Sequence, residues 1–169
     1  MTALAAGDGL AITGDVRKDP SNVIKAYLSL DAKGARLDAI SYETLKPYTN
    51  WKRELSWGIV TVIDSYEVAE DVKTWQVLGR MEVIIPVTYK VLGTMDWETV
   101  TYTPEPQVEH TLFRVKVIGD RWRILEPTLP PHVGLKRMIS FVRQGMLQET
   151  DPARLAKMHA LWDDLKKAQ

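Results

Sequence analysis

The sequence predicts an α+β fold: a curved antiparallel sheet wrapped around N-terminal helices, with two additional helices at the C-terminus. Three observations predict it. Apolar residues recur at helical spacing near both ends, first from Val23 to Leu45 and again from Leu135 to Leu165. Between them the period falls to two, with Trp75, Val77, Gly79, Met81, Val83, Ile85, Val87, Tyr89 and Val91 all in one phase. A meander of strands that follows two helices makes a sheet-on-helix layer.

Each element has its own signal. Residues 1–18 hold no convincing period and carry Gly7, Gly9 and Gly14, so a flexible arm is expected. Asp19-Pro20 reads as an N-cap followed by proline at the first helical position. Val23, Tyr27 and Leu30 then fall on one face with Ile24 and Leu28, and Lys33-Gly34 stops the helix. Asp38 opens a second, shorter helix through Leu45, ended by Pro47. From Trp57 the period becomes two: Val60, Val62, Tyr66 and Val68 form one row, with Asp64 in it. The long phase from Trp75 to Val91 reads as a single bent strand, with Gly79 and Pro86 as places for a bulge or an edge. Gly93 to Pro106 reads as a connection with a short strand near Thr99–Tyr102. Val108 to Ile118 is a further strand, and Gly119-Asp120 turns it into Arg121–Leu125. After Pro127, Pro130 and Pro131 come helices at about Val133–Gln148 and from Asp151-Pro152 onward. The expected boundaries are an arm over 1–18, an α+β domain over 19–130 and a helical extension over 131–169 on the same domain.

The segment Val23-Ile24-Lys25-Ala26-Tyr27-Leu28-Ser29-Leu30-Asp31-Ala32-Lys33-Gly34 resembles the first helix of nuclear transport factor 2-like (NTF2-like) domains, and Gly119-Asp120-Arg121-Trp122-Arg123-Ile124 is similar to their closing strand. The resemblance covers about residues 20–127. It implies a cone in which a curved sheet wraps helices and leaves an apolar pocket at the open end. Isomerase-like and dehydratase enzymes, non-catalytic small-molecule binders and protein-interaction modules all use that fold, so it constrains architecture more than activity. The helices after Pro131 lie outside the minimal pattern; they would plug the cone, cover the sheet or build an oligomer contact.

Composition narrows the chemistry. The 169 residues include no cysteine, which removes disulfides, thiolate zinc sites, thiol nucleophiles and iron–sulfur clusters. Twenty-two basic residues against 22 acidic ones argue against nucleic-acid binding by a broadly basic surface. No run approaches the roughly 18 apolar residues of a membrane helix, so no membrane span is expected. Met1 to Gly14 is no intact signal peptide; Ala3-Leu4-Ala5 fits either a trimmed remnant or an ordinary start, leaving cytoplasmic and secreted or periplasmic locations open. Gly7 and Gly9 lack the third glycine of a dinucleotide loop, and neither a P-loop nor a G-x-S-x-G elbow is present. His110, His132 and His159 are too dispersed for a metal site, so neither metal nor cofactor is expected. Lys136, Arg137 and Arg143 read as a solvated helix face.

Asp64 and Tyr27 are the candidate catalytic residues. A carboxylate inside an apolar row would have its pKa raised and suit proton abstraction, with a phenol stabilising the oxyanion. The competing expectation places Asp64 at a bulge or a strand end where the parity shifts, facing water or paired with a lysine or arginine. Tyr66, Tyr89, Trp51, Trp57 and Trp97 are the candidate ligand-binding residues, as phenolic donors and as aromatics near connections. The expected function is a non-catalytic binding domain, for a small apolar molecule in the cone or for a protein partner. The alternatives are a cofactor-independent isomerase or dehydratase based on Asp64, and a structural homodimerisation module pairing through the outer sheet face near His110, Leu112, Arg114 and Lys116.

Overall fold

A computed structural model describes residues 19–51 and 57–169; the expected arm over 1–18 lies outside the described residues. Helix α1, Pro20–Ala32, starts where its cap predicts: the Asp19 carboxylate accepts from the Ser21 backbone N–H at 2.9 Å and its hydroxyl at 2.8 Å. It ends at Gly34, whose φ of 89° is left-handed and lets the Ala35 N–H return to the Leu30 carbonyl. Asp38 caps a short α2, Ala39–Tyr42, through Ser41. The expected second helix then tightens into a 3-10 stretch, Glu43–Tyr48, which carries the chain through Pro47.

Among the described residues six strands follow: β1 Ile59–Val68, β2 Gln76–Gly79, β3 Glu82–Asp96, β4 Thr101–Ile118, β5 Arg121–Glu126 and β6 His132–Gly134. Their order is β5-β4-β3-β1-β6, with β2 on β3 beyond the end of β1. All pairings are antiparallel except β1–β6, so the sheet is mixed, and it curls into a half-barrel. The α+β class holds.

The run from Trp75 to Val91 is two strands, β2 and β3, joined by a turn at Arg80-Met81. Gly79 pairs with Glu82, but a register shift at Leu78 sets Val77 opposite Val83. That extra residue restores the odd phase across the turn, which is why the sequence shows one unbroken pattern. Pro86 lies in β3 where β1 stops and β2 has yet to begin, so its missing N–H breaks no ladder. The stretch from Gly93 to Pro106, expected as a connection, is mostly sheet: β3 runs on to Asp96 and β4 starts at Thr101.

Bulges at Asp64, at Leu92 and at Glu105-Pro106 cross β1, β3 and β4 in one line. Those in β1 and β3 change the phase of the strand, and the core is divided in two. On one side Ile63, Val68, Val83, Ile85, Val87, Tyr89, Val91, Phe113 and Val115 pack with α1 on the concave face. On the other, Val60, Val62, Met95 and Tyr102 pack with the two C-terminal helices, α3 Leu135–Gln148 and α4 Pro152–Lys167. The expected row of Val60, Val62, Asp64, Tyr66 and Val68 is therefore broken at Asp64. These helices cover the sheet; they do not plug the cone. His132–Gly134, read partly as helix, is instead the parallel strand that delivers the chain to α3.

Gly93 sits at the bulge line where β3 and β4 approach closely. A Cβ there would lie 2.3 Å from the Thr103 carbonyl oxygen and 2.7 Å from the Tyr102 hydroxyl, whereas one at Gly79 would meet nothing within 4 Å. Gly93→Ala should therefore cost about 2–3 kcal/mol, the scale of an overpacked interior. Gly79→Ala should stay within about 0.5 kcal/mol. Urea unfolding of both variants measures the contrast.

Candidate functional site

Asp31 stands in the apolar row of α1, one turn beyond Tyr27, and is 1% exposed. Arg36 follows across the Gly34 turn and is 5% exposed. The guanidinium grips the carboxylate with Nε at 3.0 Å and Nη2 at 3.2 Å, and Nη1 donates to the Leu129 carbonyl at 2.7 Å. The His132 backbone N–H gives Asp31 its third donor at 3.0 Å. Around this enclosed carboxylate two N–H groups of the cation and one of the backbone take the place of water.

The His132 ring extends the array across the concave face. It lies 4.2 Å from the Tyr89 ring, centroid to centroid. Nδ1 contacts the Pro130 carbonyl at 2.7 Å, and Nε2 contacts Glu109 Oε1 at 2.7 Å. A carbonyl only accepts, so Nδ1 carries a hydrogen. The Nε2–Oε1 contact then needs a second proton, held by imidazole or carboxyl. His132 thus joins β6 to β4 and α1 at once.

Two phenols sit against this array. Burial first, then the Asp31 charge, pushes the Tyr27 hydroxyl far above its ordinary value, and the nearby Arg36 offsets only part of the rise. Burial, then Tyr27, Asp31 and Glu109, raises Tyr89 still further. The Tyr89 hydroxyl has no hydrogen-bond partner. Burial alone lowers the Arg36 guanidinium, but Asp31 and Tyr27 outweigh it and leave it raised.

The residues expected from sequence separate into three places. Asp64 is the bulge residue, its side chain 52% exposed and 3.7 Å from Lys90 Nζ. It faces away from Tyr27 and meets none of the requirements for a buried base. Tyr27, Tyr89 and Trp51 come together: the Trp51 ring meets Tyr27 edge-on at 5.7 Å and lies 5.2 Å below the Arg36 guanidinium. Trp57 and Trp97 instead clamp Phe141 of α3, at 6.2 and 5.0 Å between ring centres. Tyr66 is half-buried at the edge of the concave cluster. The five expected ligand residues thus line no common cavity.

Sequence reasoning missed Asp31, Arg36 and Glu109, and considered His132 among three histidines too dispersed for a metal site. Asp31 left a signal, a charge in the apolar row eight residues after Val23 and four after Tyr27. Glu109 left none, since its partner is 23 residues away.

Two surface grooves accompany the array. One of about 520 Å³ runs past Arg36, Trp57, Ile59, Asp96, Leu129 and Pro131. Another of about 360 Å³ lies between β4 and α4, along Leu92, Tyr102, Pro104, Pro106 and Lys167. Among the described residues, no group of three or more His, Asp or Glu side chains is placed to hold a metal ion.

Removing Asp31 strands a buried cation, so Asp31→Ala should cost about 3–5 kcal/mol, and adding Arg36→Met should recover most of it; chemical denaturation of the set tests the coupling. Tyr89→Phe removes an unpaired buried hydroxyl and should be neutral or stabilising by up to about 1 kcal/mol. The folded Tyr27 and Tyr89 phenols titrate above the unfolded chain's, so stability is full below about pH 10 and falls above it as the unfolded form ionises. Tyrosinate absorbance during alkaline unfolding should show this slope, reduced in the Tyr89→Phe variant.

No family model, curated protein or solved structure matches the chain.

Proposed function

We propose that the chain is a non-catalytic binding domain of the NTF2-like kind, and that it takes a protein partner on its sheet. One contrast carries the reading. The concave face is filled by α1, with Ile24, Tyr27 and Leu28 at most 2% exposed, while β4 presents Val108 and Leu112 outward at 58% and 61% exposure. A small apolar ligand in the cone would have to displace that helix. The same filling weighs against an isomerase or dehydratase: Asp64 is outside, and the inward acid–base groups Asp31, Arg36, His132 and Tyr89 are at most 5% exposed. The NTF2-like part of the proposal is supported by a helix with an aliphatic and aromatic face held in a curled sheet, and by Trp122 and Ile124 buried in the hairpin strand β5.

A photo-crosslinking residue at position 112 should form one discrete protein adduct in the producing cells, and the same residue at 159, on the exposed side of α4, should form none. A library of apolar compounds should leave the melting temperature unchanged. Equal labelling from both positions, or a compound that raises Tm by several degrees and protects the concave core from hydrogen exchange, overturns the reading. A dimer of this chain as the sole adduct turns it into the homodimer module.

A further inference from the structure

Strand β4 is paired with β3 along nearly its whole length, but β5 covers its other side only from Arg114 to Ile118. The direction of each backbone group follows from the hairpin. The two-residue turn Gly119-Asp120 makes Ile118 and Arg121 the closing pair, and the Val117 N–H donates to Met81 on the β3 side at 2.9 Å. Odd residues near this end therefore bond β3, and even ones face β5 or nothing. Val108, His110 and Leu112 project their N–H and C=O groups from the uncovered edge, with no pairing strand among the described residues. Pro104 and Pro106 fall on the same edge, where the lack of an N–H costs no ladder bond.

Prolines block this edge below the window and β5 blocks it above, but Val108–Leu112 has no lysine, proline or bulge to discourage pairing. The window and β5 share one edge, so a second β4 would bring its own β5 against Pro104–Pro106. A short separate strand meets no such conflict. It would lie in line with β5, as β2 lies in line with β1 beside β3. The side chains state its chemistry. Outward, Val108 and Leu112 offer apolar surface on either side of His110. Inward, Glu109 is the window's one acid; Oε1 meets His132, the side chain is 33% exposed, and Oε2 has no hydrogen-bond partner among the described residues.

Building on the protein-partner reading above, we propose that Val108–Leu112 is a strand-addition site for an extended segment of the partner in which apolar residues alternate with lysine or arginine. Backbone bonds to Val108, His110 and Leu112 hold the strand, apolar residues cover the outer face, and a cation meets Glu109.

The probe is fluorescent acetyl-Thr-Val-Lys-Val-Lys-Val-Thr-amide, titrated against the full chain by anisotropy. Saturable binding and slowed exchange of the Val108, His110 and Leu112 amides are expected. His110→Pro removes the central donor at an edge position of the kind that already tolerates proline, and should weaken binding about tenfold, one net hydrogen bond. Methylating the probe's central amide nitrogen should do the same without touching the protein's fold. Glu109→Gln should weaken binding about threefold while its amide still bonds the His132 ring, and replacing both probe lysines by glutamate should weaken it at least as much. No binding by wild type, equal binding by the His110→Pro variant and the methylated probe, or self-association on ultracentrifugation that His110→Pro abolishes overturns the proposal. If the position-112 adduct survives His110→Pro, the partner reading stands and only the edge mode is lost.

Discussion

The enclosed pairing of Asp31 with Arg36 is the constraint on which the rest of the molecule leans. Two groups that each cost several kcal/mol to bury are tolerable only if every donor and acceptor around them is in place. The three donors on Asp31 come from the turn after α1 and from β6, and the remaining reach of Arg36 goes to Leu129. Satisfying one carboxylate therefore fixes the end of α1, the turn that follows it and the Thr128–Pro131 segment relative to one another. Apolar packing of Ile24, Tyr27 and Leu28 supplies the larger driving force, but it is non-directional. The ion pair sets the depth and rotation at which that packing occurs.

His132 carries this constraint into the C-terminal half. Its backbone serves Asp31, its ring serves Glu109 and Pro130, and three residues later the chain enters α3. The bulge line is the sheet's answer to the same problem. The extra residues at Asp64 and Leu92 move the apolar rows of β1 and β3 from one face of the sheet to the other. With them, α1 takes one face of the first half, and α3 with α4 takes the buried residues of the second. One sheet thereby supports two cores, joined by β1 through adjacent residues, Val62 in one and Ile63 in the other.

What was legible in the sequence follows from this division. The class, the helix caps at Asp19 and Asp151 and the turn at Gly119-Asp120 were readable, because each rests on local chemistry within a few residues. Asp64 was ambiguous because period counting cannot see a bulge, only the row it interrupts. The bulge at Leu78 misled in the opposite sense, making two strands look like one. The polar array was almost invisible, since its members lie at 31, 36, 109 and 132 and meet only once the sheet has curled. Asp31 was the exception: a charge in an apolar helical row requires a buried partner or an open cavity, and the sequence alone does not choose between them.

That choice decides where binding can take place. An open cone would leave Asp31, His132 and the two phenols as reactive groups around a substrate. A filled one commits the same groups to structure: Arg36 pairs with Asp31, the His132 ring meets Glu109 at 2.7 Å, and Tyr27 packs against Phe113 with ring centres 5.9 Å apart. Only Glu109 retains a carboxylate oxygen free of the array, and it lies on β4, the strand with the uncovered edge. The well-satisfied interior thus leaves one carboxylate oxygen without a partner at the rim, beside backbone groups of β4 that no strand pairs among the described residues. In the proposed reading, buried order and surface recognition meet in this one side chain: its inner oxygen holds His132 and its outer one would meet the partner's cation.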